Sequence, residues 1–163
     1  SFPTRRSSDL GGSIKNVIAL AAGISVGLGC GDNTMAALIT RGITEIARLG
    51  IAMGGRLETF AGLSGIGDLI VTCTSKHSRN HNAGVLIGKG YTMDEAMNEV
   101  KQVVEGVYSA KAAKKLAEKY QVSMPIVSEI NEVLFGDLSA KDALANLLTR
   151  DRCEEYPNDP WQQ

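Results

Sequence analysis

The sequence is poor in aromatic side chains, lacks paired cysteines, carries no excess of either charge and shows no run of alternating polar and apolar residues. Three Phe, four Tyr and one Trp in 163 residues leave an interior that aliphatic side chains and glycine must fill. Seventeen Lys and Arg against eighteen Asp and Glu give a net charge of −1, which argues against the broad cationic face that nucleic acid or an anionic membrane selects. Cys30, Cys73 and Cys153 form no C-x-x-C pair, and an odd number cannot close into a complete internal disulfide framework. A reducing cytoplasm is the expected compartment. No run of about 18 apolar residues occurs and the first residues lack an apolar stretch, which speaks against a transmembrane helix and a secretory signal. Without period-2 alternation, the expectation is an all-α domain.

What the chain does have is glycine, 18 residues of it, which suggests close helix packing and backbone approaching a ligand. With 44% hydrophobic residues it can bury one core but not two. Residues 1–10 show no periodicity continuous with the helical pattern that begins at Gly11. Arg5-Arg6-Ser7-Ser8 fits a basophilic kinase site and the stretch fits a short targeting peptide, but it fits best a non-native leader, the translation of a sequencing adapter joined to a truncated reading frame. Residues 11–150 form the expected helical domain, and residues 151–163, with Pro157 and Pro160, a disordered tail.

Within the domain, Ile14, Val17, Ile18, Ala21, Ile24 and Leu28 share one face of a helix from about Ser13 to Leu28. The cluster Gly27-Leu-Gly-Cys-Gly31 breaks it. Asp32 is the expected N-cap of a second long helix, closed by Gly54-Gly55, and Gly42 and Gly50 inside it imply another backbone close by. Thr92 and Glu95 form a capping box for a short helix to Val100. A stripe from Val107 to Tyr120 predicts the next helix, Pro125 opens one to Phe135, and Ser139 caps a last one through Leu148.

Several groups resemble chemical sites. The glycine clusters ending at Gly31 and Gly67 have the wrong order for a dinucleotide fingerprint, and neither follows a strand. Cys73, His77 and His81 are spaced by four, but Thr74-Ser75-Lys76 reads as a helix break, so no metal is expected. Asp68 sits between glycine and an apolar pair, where a carboxylate needs a cation or hydroxyl partner or serves as a helix N-cap. Ser78-Arg79-Asn80, at a helix start, would gather a hydroxyl, a guanidinium, an amide and free backbone N–H groups, which is an anion site. Lys15, in the first turn of its helix, either snorkels to solvent or is held in positive potential, which destabilises its ammonium form and suits it to general acid and base work.

Gly12-Ser-Ile-Lys-Asn-Val17, Thr40-Arg-Gly42 with Glu45-Ile-Ala-Arg-Leu-Gly50, Thr59-Phe-Ala-Gly-Leu-Ser-Gly-Ile-Gly-Asp-Leu69, His77-Ser-Arg-Asn80 and Val103-Val-Glu-Gly106 together resemble the C-terminal helical domain of bacterial NAD(P)-dependent glycerol-3-phosphate dehydrogenase. The resemblance covers about Gly11 to Arg150. It implies a helical domain of the 6-phosphogluconate dehydrogenase-like type whose Rossmann domain is missing from this chain. It further implies a fragment, inert alone, of a cytoplasmic oxidoreductase that uses NAD or NADP to interconvert dihydroxyacetone phosphate and sn-glycerol 3-phosphate for phospholipid synthesis. Its partners would be a small phosphate substrate and, in a homodimer, a second copy of itself, with no nucleic acid or integral membrane contact. By the same resemblance Lys15 is the proton donor and acceptor, Lys15, Asp68, Ser78, Arg79 and Asn80 bind substrate, and Arg79, Val103 and Glu105 touch the cofactor.

The chain departs from this family after Asn80, where His81-Asn82 replace residues that are commonly basic, weakening the local positive field. Two other readings stay open at this point: the helical domain of a related hydroxyacid or sugar-phosphate dehydrogenase, and a non-catalytic helical interaction module.

Overall fold

The computed structural model describes residues 3–56 and 63–149, and all regular structure among them is helical. The helices are α1 (Pro3–Gly27), α2 (Asp32–Ala52), α3 (Leu63–Thr74), α4 (Arg79–Gly88), α5 (Met93–Val100), α6 (Glu105–Tyr120), α7 (Pro125–Phe135) and α8 (Ala140–Thr149). The expected tail, residues 151–163, and the Thr59–Gly62 part of the third motif lie outside the described residues.

Helix α1 is the centre of the bundle, packing against α2, α3, α4, α6 and α7. It begins ten residues earlier than its apolar stripe predicts, because residues 3–12 continue the same helix and Leu10 joins the core. Ile14, Val17, Ile18, Ala19, Leu20 and Ala22 are fully buried. By length and composition alone, Asp9–Gly27 would suffice to cross a membrane, contrary to the expectation from uninterrupted apolar runs; 61% of that stretch is buried inside the fold. A core helix surrounded on all sides needs the same all-round hydrophobicity as a membrane span.

The closest helix pair is α1 with α4, and glycine is the reason. Gly23 and Gly27 on α1 meet Gly84 and Gly88 on α4, and a Cβ on any of the four would run into a backbone carbonyl of the facing helix: His81, Val85, Leu20 and Ile24 respectively. Backbones this close leave no room for a side chain. Gly42 differs from the expectation, since the group against it is the Ile18 side chain rather than another backbone.

Helix termini follow the sequence signals in most places. Thr92 and Glu95 form the reciprocal capping box, Pro125 begins α7, and Ser139 Oγ accepts from the Asp142 N–H at 3.1 Å. Two assignments shift. Gly31, not Asp32, is the N-cap of α2, leaving Asp32 in the first turn, where its charge suits the helix dipole. The start of α7 has no cap of its own and is capped instead by Glu45 of α2, whose buried carboxylate accepts from the Ile126 N–H at 2.6 Å and the Val127 N–H at 3.3 Å.

Candidate functional site

Lys15 lies about three turns into α1, not in its first turn, so the helix dipole is not what acts on it. Its neighbour is a carboxylate: Nζ stands 3.0 Å from Asp68 Oδ2. Asp68 is correspondingly not a helix N-cap but an interior residue of α3, on its solvent side. Lys15 is 21% exposed and Asp68 64%, so the pair is an oriented surface ion pair rather than a buried one. Such a pair adds little to stability, but it fixes where the ammonium points.

One residue further along α1, Asn16 Nδ2 donates to Glu105 Oε2 at 3.2 Å. The other oxygen of that carboxylate, Oε1, lies 3.5 Å from the Arg79 guanidinium. Glu105 is the first residue of α6 and Arg79 the first of α4, so three helices converge here. Gly106 is part of the junction: its N–H donates to Asn80 Oδ1 at 2.7 Å, and a Cβ on it would come within 2.8 Å of the Asn16 carbonyl oxygen. Only glycine fits there.

Ser78 and Asn80 each hold a structural bond as well as a place beside Arg79. Ser78 Oγ is the N-cap of α4, accepting from the His81 N–H at 3.2 Å, and the buried Asn80 carbonyl oxygen anchors Gly106. Both bonds use oxygen lone pairs, so the Ser78 hydroxyl and the Asn80 amide remain donors. Val103 is exposed, two residues before Glu105 and next to the buried N-cap Val104. Asn16 is the residue that sequence reasoning leaves without a role. Its one signal is a lone amide between the buried Ile14 and Val17.

The Arg79–Glu105 pair is half-exposed, 44% and 54%, and offers guanidinium donors beside a carboxylate acceptor. That set fits the phosphates and ribose hydroxyls of a nicotinamide dinucleotide. Cys73, His77 and His81 do not share a helix face, since α3 ends at Thr74 and α4 begins at Arg79. Among the described residues no three His, Cys, Asp or Glu side chains gather around a metal position. Cys73 is fully buried, and desolvation pushes its thiol up to about 12. His81 is buried too; desolvation lowers its pKa, opposed by the Cys73 backbone.

The all-helical bundle that brings Lys15–Asp68 and Asn16–Glu105–Arg79 together is the C-terminal helical domain of a dehydrogenase. Residues 6–145 match the profile of the family described as NAD-dependent glycerol-3-phosphate dehydrogenase C-terminus, and the chain belongs to that family. Among curated proteins it is 66% identical over 154 residues to glycerol-3-phosphate dehydrogenase [NAD(P)+] of Agathobacter rectalis, a match covering 94% of this chain and 46% of that protein. The enzyme of the same description from Fusobacterium nucleatum is 60% identical over 144 residues, 88% of this chain and 43% of the relative. The crystal structure of glycerol-3-phosphate dehydrogenase from Coxiella burnetii superposes with a TM-score of 0.85 at 43% identity, covering 88% of this chain and 44% of the other. The chain thus spans a little under half the length of the relatives it matches.

Proposed function

We propose that the chain is the substrate-side domain of an sn-glycerol-3-phosphate dehydrogenase that uses NAD or NADP, interconverting dihydroxyacetone phosphate and sn-glycerol 3-phosphate. The observation that carries the reading is the Lys15–Asp68 pair, 3.0 Å apart, one helix position from the Asn16–Glu105–Arg79 chain.

Asp68 engages one N–H of Lys15 and leaves the others for a substrate oxygen. In the reducing direction the Lys15 ammonium donates a proton to the oxygen at C2 of dihydroxyacetone phosphate; in the oxidising direction the neutral amine takes it back. The dinucleotide, when bound, supplies or accepts the hydride at C2. Arg79, with the donors of Ser78 and Asn80 beside it, binds phosphate oxygens, and Glu105 holds Arg79 in place and accepts from a ribose hydroxyl. Val103 contributes an apolar edge to the same cofactor contact.

The fuller reading is of a cytoplasmic enzyme of glycerophospholipid synthesis whose substrate-binding domain, residues 11–150, also draws Leu10 into its core. Exposed Val71, Val103 and Tyr108 lie near Asp68 and Glu105 in sequence and would support packing of a partner domain or a second copy. Sedimentation of the chain at several concentrations distinguishes a homodimer from a monomer.

The test joins residues 11–149 to the N-terminal half of the Agathobacter rectalis relative and measures NAD(P)H oxidation with dihydroxyacetone phosphate. Turnover is expected, and Lys15→Ala should reduce it about 10²- to 10⁴-fold. A folded fusion without turnover, or full turnover in Lys15→Ala, overturns the reading.

A further inference from the structure

Glu105 turns its two carboxylate oxygens to different helices. Oε1 lies 3.5 Å from the Arg79 guanidinium of α4, and Oε2 accepts from Asn16 Nδ2 of α1 at 3.2 Å. Beneath these contacts the backbone is fixed. The Gly106 N–H donates to the buried Asn80 Oδ1 at 2.7 Å, and Gly106 faces the Asn16 carbonyl so closely that a Cβ would reach its oxygen at 2.8 Å. The movable part of the junction is therefore the Glu105 side chain, with Arg79 on one side of it and Asn16 on the other.

Left to itself, an arginine beside a carboxylate forms the fork in which both oxygens accept from the guanidinium. That arrangement occupies two of its five N–H donors and clamps its plane. Here a neutral amide withholds one oxygen, and the ion pair stays long at 3.5 Å, against roughly 2.7–2.9 Å for a close charge-assisted bond. Helix formation does not account for an amide at this position, because asparagine is a poorer residue for the interior of a helix than alanine or leucine.

We propose that Asn16 is a positioning residue: by holding Glu105 Oε2 it keeps the Arg79–Glu105 pair one-sided, so that the guanidinium is oriented while its remaining donors stay available to an anion. Asn16 follows Lys15 on α1, so the helix that presents the ammonium also sets the acceptor beside the guanidinium. The consequence for ligand rests on the reading of Arg79 as a contact of a phosphate-bearing substrate.

The experiment uses the 163-residue chain with isotope-labelled arginine. NMR follows rotation of the Arg79 guanidinium about its Nε–Cζ bond, and its shifts on titration with sn-glycerol 3-phosphate. In Asn16→Ala, Glu105 is free to close the fork. Rotation should slow several-fold, and sn-glycerol 3-phosphate should bind about fivefold more weakly, the scale of an exposed ion pair that has to open first. Asn16→Ser, whose hydroxyl is too short to reach Oε2, should behave alike. Adding Glu105→Gln to Asn16→Ala removes the competing charge and should return rotation to its original rate and affinity to at least its original value. A merely structural loss at Asn16 would not be recovered in that way.

Unchanged rotation in Asn16→Ala and Asn16→Ser overturns the proposal, and so does a loss of affinity that Glu105→Gln fails to recover. If sn-glycerol 3-phosphate moves no Arg79 signal in the unmodified chain, it is the proposed function that fails, and the rotation rates then decide the role of Asn16 by themselves.

Discussion

Lys15 of α1 and Asp68 of α3, 53 residues apart in sequence, bring an ammonium and a carboxylate to 3.0 Å on a face that stays partly open to solvent. Exposed pairs of this kind contribute under about 1 kcal/mol to folding, so their geometry serves orientation more than stability. Asp68→Asn should therefore leave the unfolding free energy within about 1 kcal/mol of the original while turnover of the fused enzyme falls roughly tenfold or more. Parallel denaturant melts and assays check this. A large stability loss with undiminished turnover would assign Asp68 to the scaffold instead.

Glu45 should show the opposite pattern. Its buried carboxylate caps the first turn of α7 through two backbone N–H groups, and hydrogen bonds to a charged group are worth about 1.5–3 kcal/mol. Glu45→Ala is expected to cost about 3 kcal/mol or more in urea unfolding, since it strands those N–H groups in the interior. Glu45→Gln, which retains one acceptor, should cost less.

Two glycine substitutions should diverge in sign. Gly84→Ala places a methyl against the Leu20 carbonyl of α1 and should destabilise the chain by several kcal/mol or prevent folding. Gly12→Ala, on the exposed side of α1 with nothing within 4 Å of the added carbon, should stabilise by about 0.5–1 kcal/mol through helix propensity. Thermal melts of the two variants are sufficient.

The buried thiol and imidazole make stability depend on pH at opposite ends of the range. The Cys73 pKa is raised from 9.0 to about 12 in the folded chain, so its contribution is complete below pH 9 and declines by about 1.4 kcal/mol per pH unit as pH rises towards 12. His81 is depressed from 6.5, so its contribution is complete above that pH and declines as pH falls below it, where the unfolded chain binds the extra proton. Cys73→Ala should flatten the alkaline limb alone, and His81→Gln the acid limb alone, in unfolding free energy measured against pH.

Much of this architecture is legible in the order of residues. The 3.6-residue stripes locate the helices, and the Thr92–Glu95 box, Pro125 and Ser139 fix three starts, because capping is a local matter of a side chain and its own next turn. The misplacements have non-local causes. Residues 3–12 are polar and glycine-rich, so no stripe announces that the helix begins there. Capping of α7 by Glu45 joins residues 81 and 82 positions apart, beyond the reach of any spacing rule.

The candidate site divides along the same line. Motifs and resemblance single out Lys15, Asp68, Arg79 and Glu105, and the structure joins them as two pairs. Asn16 and Gly106 gain a role only where α1, α4 and α6 come together, since neither has a partner within its own helix for the bonds described. The expectation that the helix dipole acts on Lys15 fails because it depends on where the helix starts.

The four glycines that lock α1 to α4 also fix a rotational phase. Lys15 and Asn16 point where they do because Gly23 and Gly27, on the same rod, can face only α4. A single residue inserted between Asn16 and Gly23 would turn the two halves of α1 by about 100° relative to one another. The glycine seam and the polar pairs could not both form, although composition and hydrophobicity would hardly change. Helix α1 is therefore keyed like a shaft: substitutions along it are judged one at a time, whereas insertions and deletions are judged by angle.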